Sequence, residues 1–114
     1  MTRLQIIMGQ VAVGSALALT AAIGQAADLE KGRAKAEQVC AACHGKDGNT
    51  PIDPSYPKLA GQAADYLYNA LRDYRREARK NPIMGGMAKP LSDADMKNLS
   101  AYYASLPGSL RFKR

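Results

Sequence analysis

Two cysteines and one histidine stand together in this sequence, as Cys40-Ala41-Ala42-Cys43-His44. They are also the only cysteines and the only histidine among its 114 residues. A Cys-x-x-Cys-His run is the attachment signature of a c-type haem. The two thiols add to the vinyl groups on one edge of the porphyrin, and the histidine then binds the iron through an imidazole nitrogen. The sequence therefore predicts one covalent haem c, anchored by Cys40 and Cys43 and ligated by His44.

Three other roles of a Cys-x-x-Cys pair fit less well. A thioredoxin-like redox dithiol needs a βαβ context, for which the sequence has no pattern. A structural zinc site usually has four Cys or His ligands, and the chain contains only three such residues. A structural disulfide between Cys40 and Cys43 suits an exported protein and is the main alternative, although so short a loop gains little stability from closure.

The first 26 residues have the features of a secretory signal peptide. Arg3 is the only charged residue before Asp28, and the stretch 4–23 is apolar or small apart from a few Gln, Ser and Thr residues. Gly24-Gln25-Ala26 places small residues at the −3 and −1 positions of a cleavage site, so we expect cleavage after Ala26. An uncleaved membrane anchor is disfavoured, because this stretch is weakly hydrophobic for a membrane span.

Residues 27–114 are then expected to form one small exported domain. A domain of this size buries a modest core and often depends on a covalent or metal staple, a role that the haem would take. The whole sequence has a formal net charge of +6. A basic surface favours acidic protein partners, whereas export and the haem signature argue against a nucleic-acid partner.

The spacing of the apolar residues predicts an all-α domain with helices over 28–43, 62–80 and 92–106. Asp28 and Ser92 are candidate N-caps, and Asp95 would complete a capping box with Ser92. Gly and Pro residues punctuate the segments 45–60 and 81–90, which are predicted to be loops. Loops of this length suit a chain that wraps around a large apolar ligand.

Two features of the predicted helices leave alternatives open. Gly32 with Ala36 either allows another helix to approach closely or only weakens the start of the first helix. Five basic residues at the end of the second helix suit the negative end of the helix dipole. They form either a solvated helix end or a docking surface for an acidic partner. These residues are Arg72, Arg75, Arg76, Arg79 and Lys80.

The second axial position of the iron needs another donor or stays open. The chain has no second histidine, so methionine sulfur is the usual alternative. Met1 and Met8 lie in the predicted signal peptide, and Met96 lies on an apolar helical stripe, as a core residue does. Met84 and Met87 remain as candidate ligands in the predicted loop before the last helix. The methionine that does not bind iron is expected to pack against the porphyrin.

Six short segments between residues 28 and 106 resemble, in order, the class I c-type cytochromes, particularly small bacterial cytochromes of the cytochrome c4 type. The segments are Cys-Ala-Ala-Cys-His-Gly (40–45), Asp-Gly-Asn (47–49), Tyr-Pro-Lys-Leu-Ala-Gly-Gln (56–62), Tyr-Leu (66–67), Met-Ala-Lys-Pro-Leu-Ser-Asp-Ala-Asp (87–95) and Ala-Tyr-Tyr-Ala-Ser-Leu (101–106). The resemblance implies a haem wrapped by helices, with the first and last helices crossing. It also implies a periplasmic location, since bacterial haem attachment takes place outside the cytoplasm. The c4 proteins carry two such domains, whereas this sequence carries one.

The resemblance also implies the roles of individual residues. The ligand methionine of the c4 type stands a few residues before the Leu-Ser-Asp that opens the last helix, which matches Met87, with Met84 as the second choice. A backbone carbonyl near Pro57 would accept the proton on the far nitrogen of His44 and so orient the ring. The residues expected at the helix crossing are Gly32 and Ala36 against Leu99, Tyr102 or Tyr103.

A haem with both axial positions filled has no open site for a substrate, but it can exchange one electron through its exposed edge. The sequence therefore predicts a periplasmic one-electron carrier, not an enzyme, that docks on redox proteins with acidic surfaces. Two alternatives stay open. One is a haem subunit of a larger periplasmic dehydrogenase or oxidase complex. The other is a five-coordinate gas-binding or peroxidatic haem protein, if no methionine binds the iron.

Overall fold

The computed structural model describes residues 9, 12–16 and 26–110. Most of the predicted signal peptide, residues 1–26, and residues 111–114 lie outside the described residues. Cleavage after Ala26 therefore stays a prediction. Within the described part of the chain, no helix has both the length and the apolar character needed to cross a membrane.

The described residues form five helices and no strand, which confirms the all-α prediction. The helices are α1 (Leu29–Val39), α2 (Ala41–His44), α3 (Ala64–Arg75), α4 (Pro82–Ala88) and α5 (Asp93–Ser105). The predicted first helix is divided by a turn at Cys40. The backbone N–H groups of Cys43 and His44 both donate to the Cys40 carbonyl, at 3.2 and 3.0 Å. The Cys-x-x-Cys-His run therefore forms a helical turn of its own.

The first and last long helices, α1 and α5, pack against each other. Gly32 is buried in this contact, and a Cβ atom added to it would clash with the carbonyl oxygen of Asn98 and lie 2.8 Å from the Cβ of Tyr102. Gly32 therefore allows the close approach of the two helices. Of the two roles that the sequence left open for Gly32, close helix packing is the one that the structure shows. Ala36 packs into the same core as Leu99, so the expected crossing is confirmed.

Both predicted N-caps are confirmed. The Asp28 carboxylate accepts a hydrogen bond from the backbone N–H of Lys31 at 3.1 Å. Ser92 and Asp95 form a reciprocal capping box at the start of α5, with bonds of 3.0 and 3.1 Å. These caps fix where the crossing helices begin, and each is worth about 1 kcal/mol.

Helix α3 is shorter than predicted, because it ends at Arg75 and not at Lys80. Glu77 has a φ angle of 65°, in the left-handed region that ends a helix. The backbone N–H of Arg79 donates to the Asp73 carbonyl at 3.1 Å. The chain therefore turns back beside α3 and does not continue along its axis.

The predicted loop 81–90 is wrong, because most of it forms helix α4. The Asn81 side chain caps this helix by accepting from the backbone N–H groups of Ile83 and Met84, at 3.0 and 3.1 Å. Pro82 occupies the first turn, where its missing N–H group leaves no helical hydrogen bond unmade. Gly85 and Gly86 favour a loop, but the Asn81-Pro82 pair starts a helix here despite them.

The predicted loop 45–60 is confirmed, since no helix lies between His44 and Ala64. The Gly48 carbonyl accepts the N–H groups of Leu59 and Ala60, at 2.7 and 2.9 Å, and so closes the loop. Gly48 has a φ angle of 66°, and a Cβ atom there would lie 2.8 Å from the ring of Tyr103. The loop is thus fastened against α5.

Candidate haem site

A single cavity of about 280 Å³ brings the predicted site residues together. All five helices and the loop 45–60 contribute to its lining, which is mainly apolar and aromatic. A volume of this size is close to the lower end of the range for small-molecule sites, about 300–1,000 Å³. Cys40, Cys43, His44, Met84 and Met87 all line it.

No disulfide joins the two cysteines to each other, and both are partly buried. Burial raises the pKa of the Cys40 thiol to about 11, and the neighbouring Tyr103 hydroxyl opposes this shift through a hydrogen bond. The Cys40 thiol is therefore neutral near pH 7. Residues three apart on one helical turn lie on the same side, so Cys40 and Cys43 can meet the same edge of a ligand.

His44 is 6% exposed and has a fixed orientation. Its Nδ1 atom lies 2.9 Å from the backbone carbonyl oxygen of Pro57. Because a carbonyl oxygen only accepts hydrogen bonds, Nδ1 must carry the proton, and Nε2 keeps the lone pair that a metal needs. The contact near Pro57 that the family resemblance implied is confirmed.

Met84 and Met87 lie on helix α4, not in a loop as predicted. Their spacing of three residues places both thioethers on the same side of the helix. Met84 is half-buried, and Met87 is 39% exposed. Both side chains can therefore approach the same ligand, and the choice of Met87 stays a prediction. Met96 is fully buried in the core, as expected.

The polar cavity residues to which sequence reasoning gave no site role include Lys58, Arg79 and Ser100. The Ser100 hydroxyl is buried and has no hydrogen-bond partner among the described residues. Ser100 lies three residues before Tyr103 on α5, so the two side chains are on the same side of the helix. This spacing is the sequence signal that could have placed Ser100 at the cavity. The sequence predicts Arg79 at the end of a long helix, whereas in the structure the turn at Glu77 brings it to the cavity.

The residues of the cavity fit a haem. Two thiols, an imidazole with a free nitrogen and two thioethers border one apolar space, which includes the donors that a His/Met-ligated c-type haem uses. A buried hydroxyl without a protein partner, such as that of Ser100, is also typical of a site whose ligand completes the polar contacts. The described residues contain no cluster of three or more Cys, His, Asp or Glu side chains that could hold a metal ion by themselves.

Comparison with protein families gives a match between residues 29–107 and the family described as Cytochrome c. The chain belongs to the cytochrome c family. Membership implies a covalently bound haem c with its iron, which agrees with the Cys40-x-x-Cys43-His44 turn on the cavity wall.

Curated relatives place the chain near the cytochrome c4 group. Cytochrome c4 of Thiocapsa roseopersicina is 46% identical over 87 residues, which cover 76% of this chain and 44% of the relative. The thiosulfate dehydrogenase electron acceptor of Thiomonas intermedia (strain K12) is 46% identical over 70 residues, or 61% of this chain and 32% of the relative. The chain thus spans less than half the length of these two relatives.

A solved structure confirms the fold. The crystal structure of reduced recombinant cytochrome c4 from Pseudomonas stutzeri superimposes with a TM-score of 0.67 at 42% sequence identity. The match covers 75% of this chain and 48% of that chain. The resemblance to the c4 group and the class I cytochrome c fold, both expected from the sequence, are therefore confirmed.

Proposed function

We propose that this cytochrome carries single electrons through one haem c with histidine and methionine as axial ligands. The observation that carries the proposal is the meeting of Cys40, Cys43, His44 and the two α4 methionines on one cavity. One Cys-x-x-Cys-His run provides for one haem in this chain. When bound, the haem supplies an iron that alternates between the ferrous and ferric states.

The protein side chains hold and shield this group in different ways. Cys40 and Cys43 anchor it covalently, and the Pro57 carbonyl keeps the His44 ring in one orientation with Nε2 as the donor atom. Met87 is the proposed second ligand, with Met84 as the alternative. Apolar walls such as Leu67 exclude water and so disfavour the more highly charged ferric state.

Electron exchange is proposed to take place where the cavity reaches the surface. Tyr66 and Ile83 line the cavity and are 50% and 57% exposed. A partner can therefore come within contact distance of the bound group through an apolar rim. Lys80 and the neighbouring arginines would orient a redox partner with an acidic surface.

We propose that this electron carrier acts in the periplasm after cleavage of residues 1–26. Support comes from the signal-peptide features of that segment and from the place of bacterial haem attachment. An alternative role is that of a haem subunit in a larger dehydrogenase or oxidase complex, which the similarity to a thiosulfate dehydrogenase electron acceptor fits no better than it fits a free carrier. Co-purification with a large partner at physiological salt would support the subunit role over the free carrier.

Visible spectra of the purified wild type, Met87→Ala and Met84→Ala test the ligand set. We expect a low-spin spectrum in the wild type and in Met84→Ala, and its loss in Met87→Ala together with new binding of carbon monoxide. Loss in Met84→Ala alone would identify Met84 as the ligand. A wild type that binds carbon monoxide readily would point to a gas-binding or peroxidatic protein and contradict the proposal.

A further inference from the structure

The segment 107–110, which follows helix α5, lies against the end of the loop that precedes α3. A Cβ atom added to Gly108 would lie 2.5 Å from the carbonyl oxygen of Ala60 and 2.9 Å from its Cβ atom. A Cβ atom added to Gly61 would clash with the carbonyl oxygen of Leu110. Glycine at both positions lets the two backbones approach this closely. We call the segment 107–110 the strap.

The strap covers loop residues whose backbone hydrogen bonds hold the loop closed. Ala60 is fully buried, and its N–H group donates to the Gly48 carbonyl at 2.9 Å. The N–H group of Gly61 donates to the carbonyl of Tyr103 on α5 at 2.9 Å. A buried backbone hydrogen bond opens rarely, because water cannot replace the lost partner. The strap therefore lies where it can keep these two bonds from opening.

The same loop carries the carbonyl that orients the candidate iron ligand. Pro57 lies three residues before Ala60, and its carbonyl oxygen lies 2.9 Å from Nδ1 of His44. Pro57 is itself exposed, so this contact depends on how firmly the adjoining backbone is held. The N–H groups of Leu59 and Ala60 attach that backbone to Gly48, at 2.7 and 2.9 Å. These bonds, next to the strap, hold the chain that leads away from the Pro57 carbonyl.

We propose that the strap positions the histidine ligand: by covering the end of the loop, it keeps the Pro57 carbonyl on His44. Residues 108–110 lie beyond 29–107, the part of the chain that the family model matches, so membership in the family gives them no role. The effect on the iron rests on the proposed haem attachment. The effect on the loop does not, because the contacts of the strap are made within the protein.

The proposal has two measurable consequences at the ligand. A hydrogen bond from Nδ1 to a carbonyl makes the imidazole a stronger donor to a metal, and a stronger donor favours the ferric over the ferrous state. Loosening the Pro57 contact should therefore raise the midpoint potential. It should also let the Nδ1 proton of His44 exchange faster with solvent. A loss of overall stability would not by itself move the potential.

The test is Gly108→Ala in the full chain, as the purified holoprotein, because the new methyl group must push the strap away from Ala60. We expect a higher midpoint potential than in the wild type. The Nδ1 proton of His44 should exchange on the order of tenfold faster, read by NMR of the ferrous protein. Gly32→Ala is the matched control, because the same substitution disturbs the helix crossing and not the strap. It should leave the potential unchanged.

Pro107→Gly covers the case in which Gly108→Ala does not mature. Pro107 is exposed, and glycine there adds no atom but gives the strap more backbone freedom. The amide hydrogens of Ala60 and Gly61 should exchange faster than in the wild type, whereas those of α1 should not change. Hydrogen exchange followed by NMR measures this difference.

Equal midpoint potentials of Gly108→Ala and the wild type would overturn the proposal. An equal rise in Gly32→Ala, or unchanged exchange at Ala60 in Pro107→Gly, would overturn it as well. A wild type without covalent haem would overturn the proposed function, but the exchange at Ala60 could still be compared between that protein and Pro107→Gly. The two failures are therefore distinguishable.

Discussion

Two regions of this small domain are packed differently: the crossing of α1 with α5, and the cavity wall formed by α3 and α4. At the crossing, α1 and α5 bury side chains against each other, and Met96 and Leu99 are almost inaccessible. On the wall formed by α3 and α4, Tyr66, Ile83 and Met87 line the cavity yet remain 39–57% exposed. The crossing is packed mainly by protein side chains, although Leu99 also lines the cavity. The wall exposes apolar surface of the kind that a bound ligand or partner covers, so we infer that the haem completes the core on this side.

The largest expected effect comes from preventing haem attachment with the double variant Cys40→Ala/Cys43→Ala. Amide hydrogens of α4 should exchange at least about 100-fold faster than in the holoprotein, the factor that corresponds to about 2.7 kcal/mol of ligand-linked stability. Those of α1 and α5 should lose less protection, because Gly32 and Ala36 pack against α5 without lining the cavity. Hydrogen exchange read by mass spectrometry measures this difference. Equal loss of protection in all helices would contradict the inference that α4 depends on the haem more than α1 and α5 do.

The second prediction compares two glycines, one in each region. Gly32→Ala should destabilise the holoprotein by about 2 kcal/mol, because the new methyl group meets the backbone of Asn98 at the crossing. Gly86→Ala on α4 meets nothing within 4 Å and should be neutral, or stabilising by up to about 1 kcal/mol. Denaturant unfolding followed by circular dichroism measures both changes. A stable Gly32→Ala variant would contradict the close packing described for α1 and α5.

The third prediction compares the N-caps of the two regions. Ser92→Ala removes the capping box of α5 and should lower the free energy of unfolding by about 1 kcal/mol. Asn81→Ala uncaps α4, a helix of only seven residues, and should act mainly on the ligand side. We expect its effect in the absorption band of the methionine–iron bond more than in global unfolding. Equal effects of Ser92→Ala and Asn81→Ala on that band would contradict the expectation that only the α4 cap supports the methionine ligand.

The smallest effect is expected from the loop that joins the two regions. Hydrogen bonds from Asn49 and Thr50 lower the pKa of the Asp47 carboxyl below its ordinary value of 3.8. The folded protein therefore binds this proton less readily than the unfolded chain. The resulting stabilisation is present above the ordinary pKa and is lost as the pH falls through the lower folded-state value.

Asp47→Asn tests this pH dependence, because its side-chain oxygen can still accept the backbone N–H groups of Asn49 and Thr50 while it carries no charge. Thermal unfolding between about pH 2 and pH 5 should show a shallower decline for the variant than for the wild type. Parallel declines would mean that Asp47 does not contribute to acid unfolding.

The sequence predicted the local features of this fold well, because they depend on short-range chemistry. The Asp28 and Ser92 caps are set by neighbouring residues, and both are present in the structure. The predicted first helix, in contrast, is divided by a turn at Cys40. Helix α4 was missed because two glycines outweighed the Asn81-Pro82 start signal. The end of α3 was misplaced because basic residues such as Lys80 are good helix formers, and the left-handed Glu77 has no sequence signature.

By itself, the sequence determined the haem-attachment signature, the donor atoms available for the iron, the all-α class and the membership in the cytochrome c family. These properties follow from residue types and from spacings within a few positions of one another. The tertiary structure alone decided that Gly32 makes the helix crossing possible, that Met84 and Met87 share one side of a helix, and that Arg79 reaches the cavity. Such facts depend on contacts between distant segments. Their physical basis is the packing of α1, α3, α4 and α5 around a space that the chain does not fill.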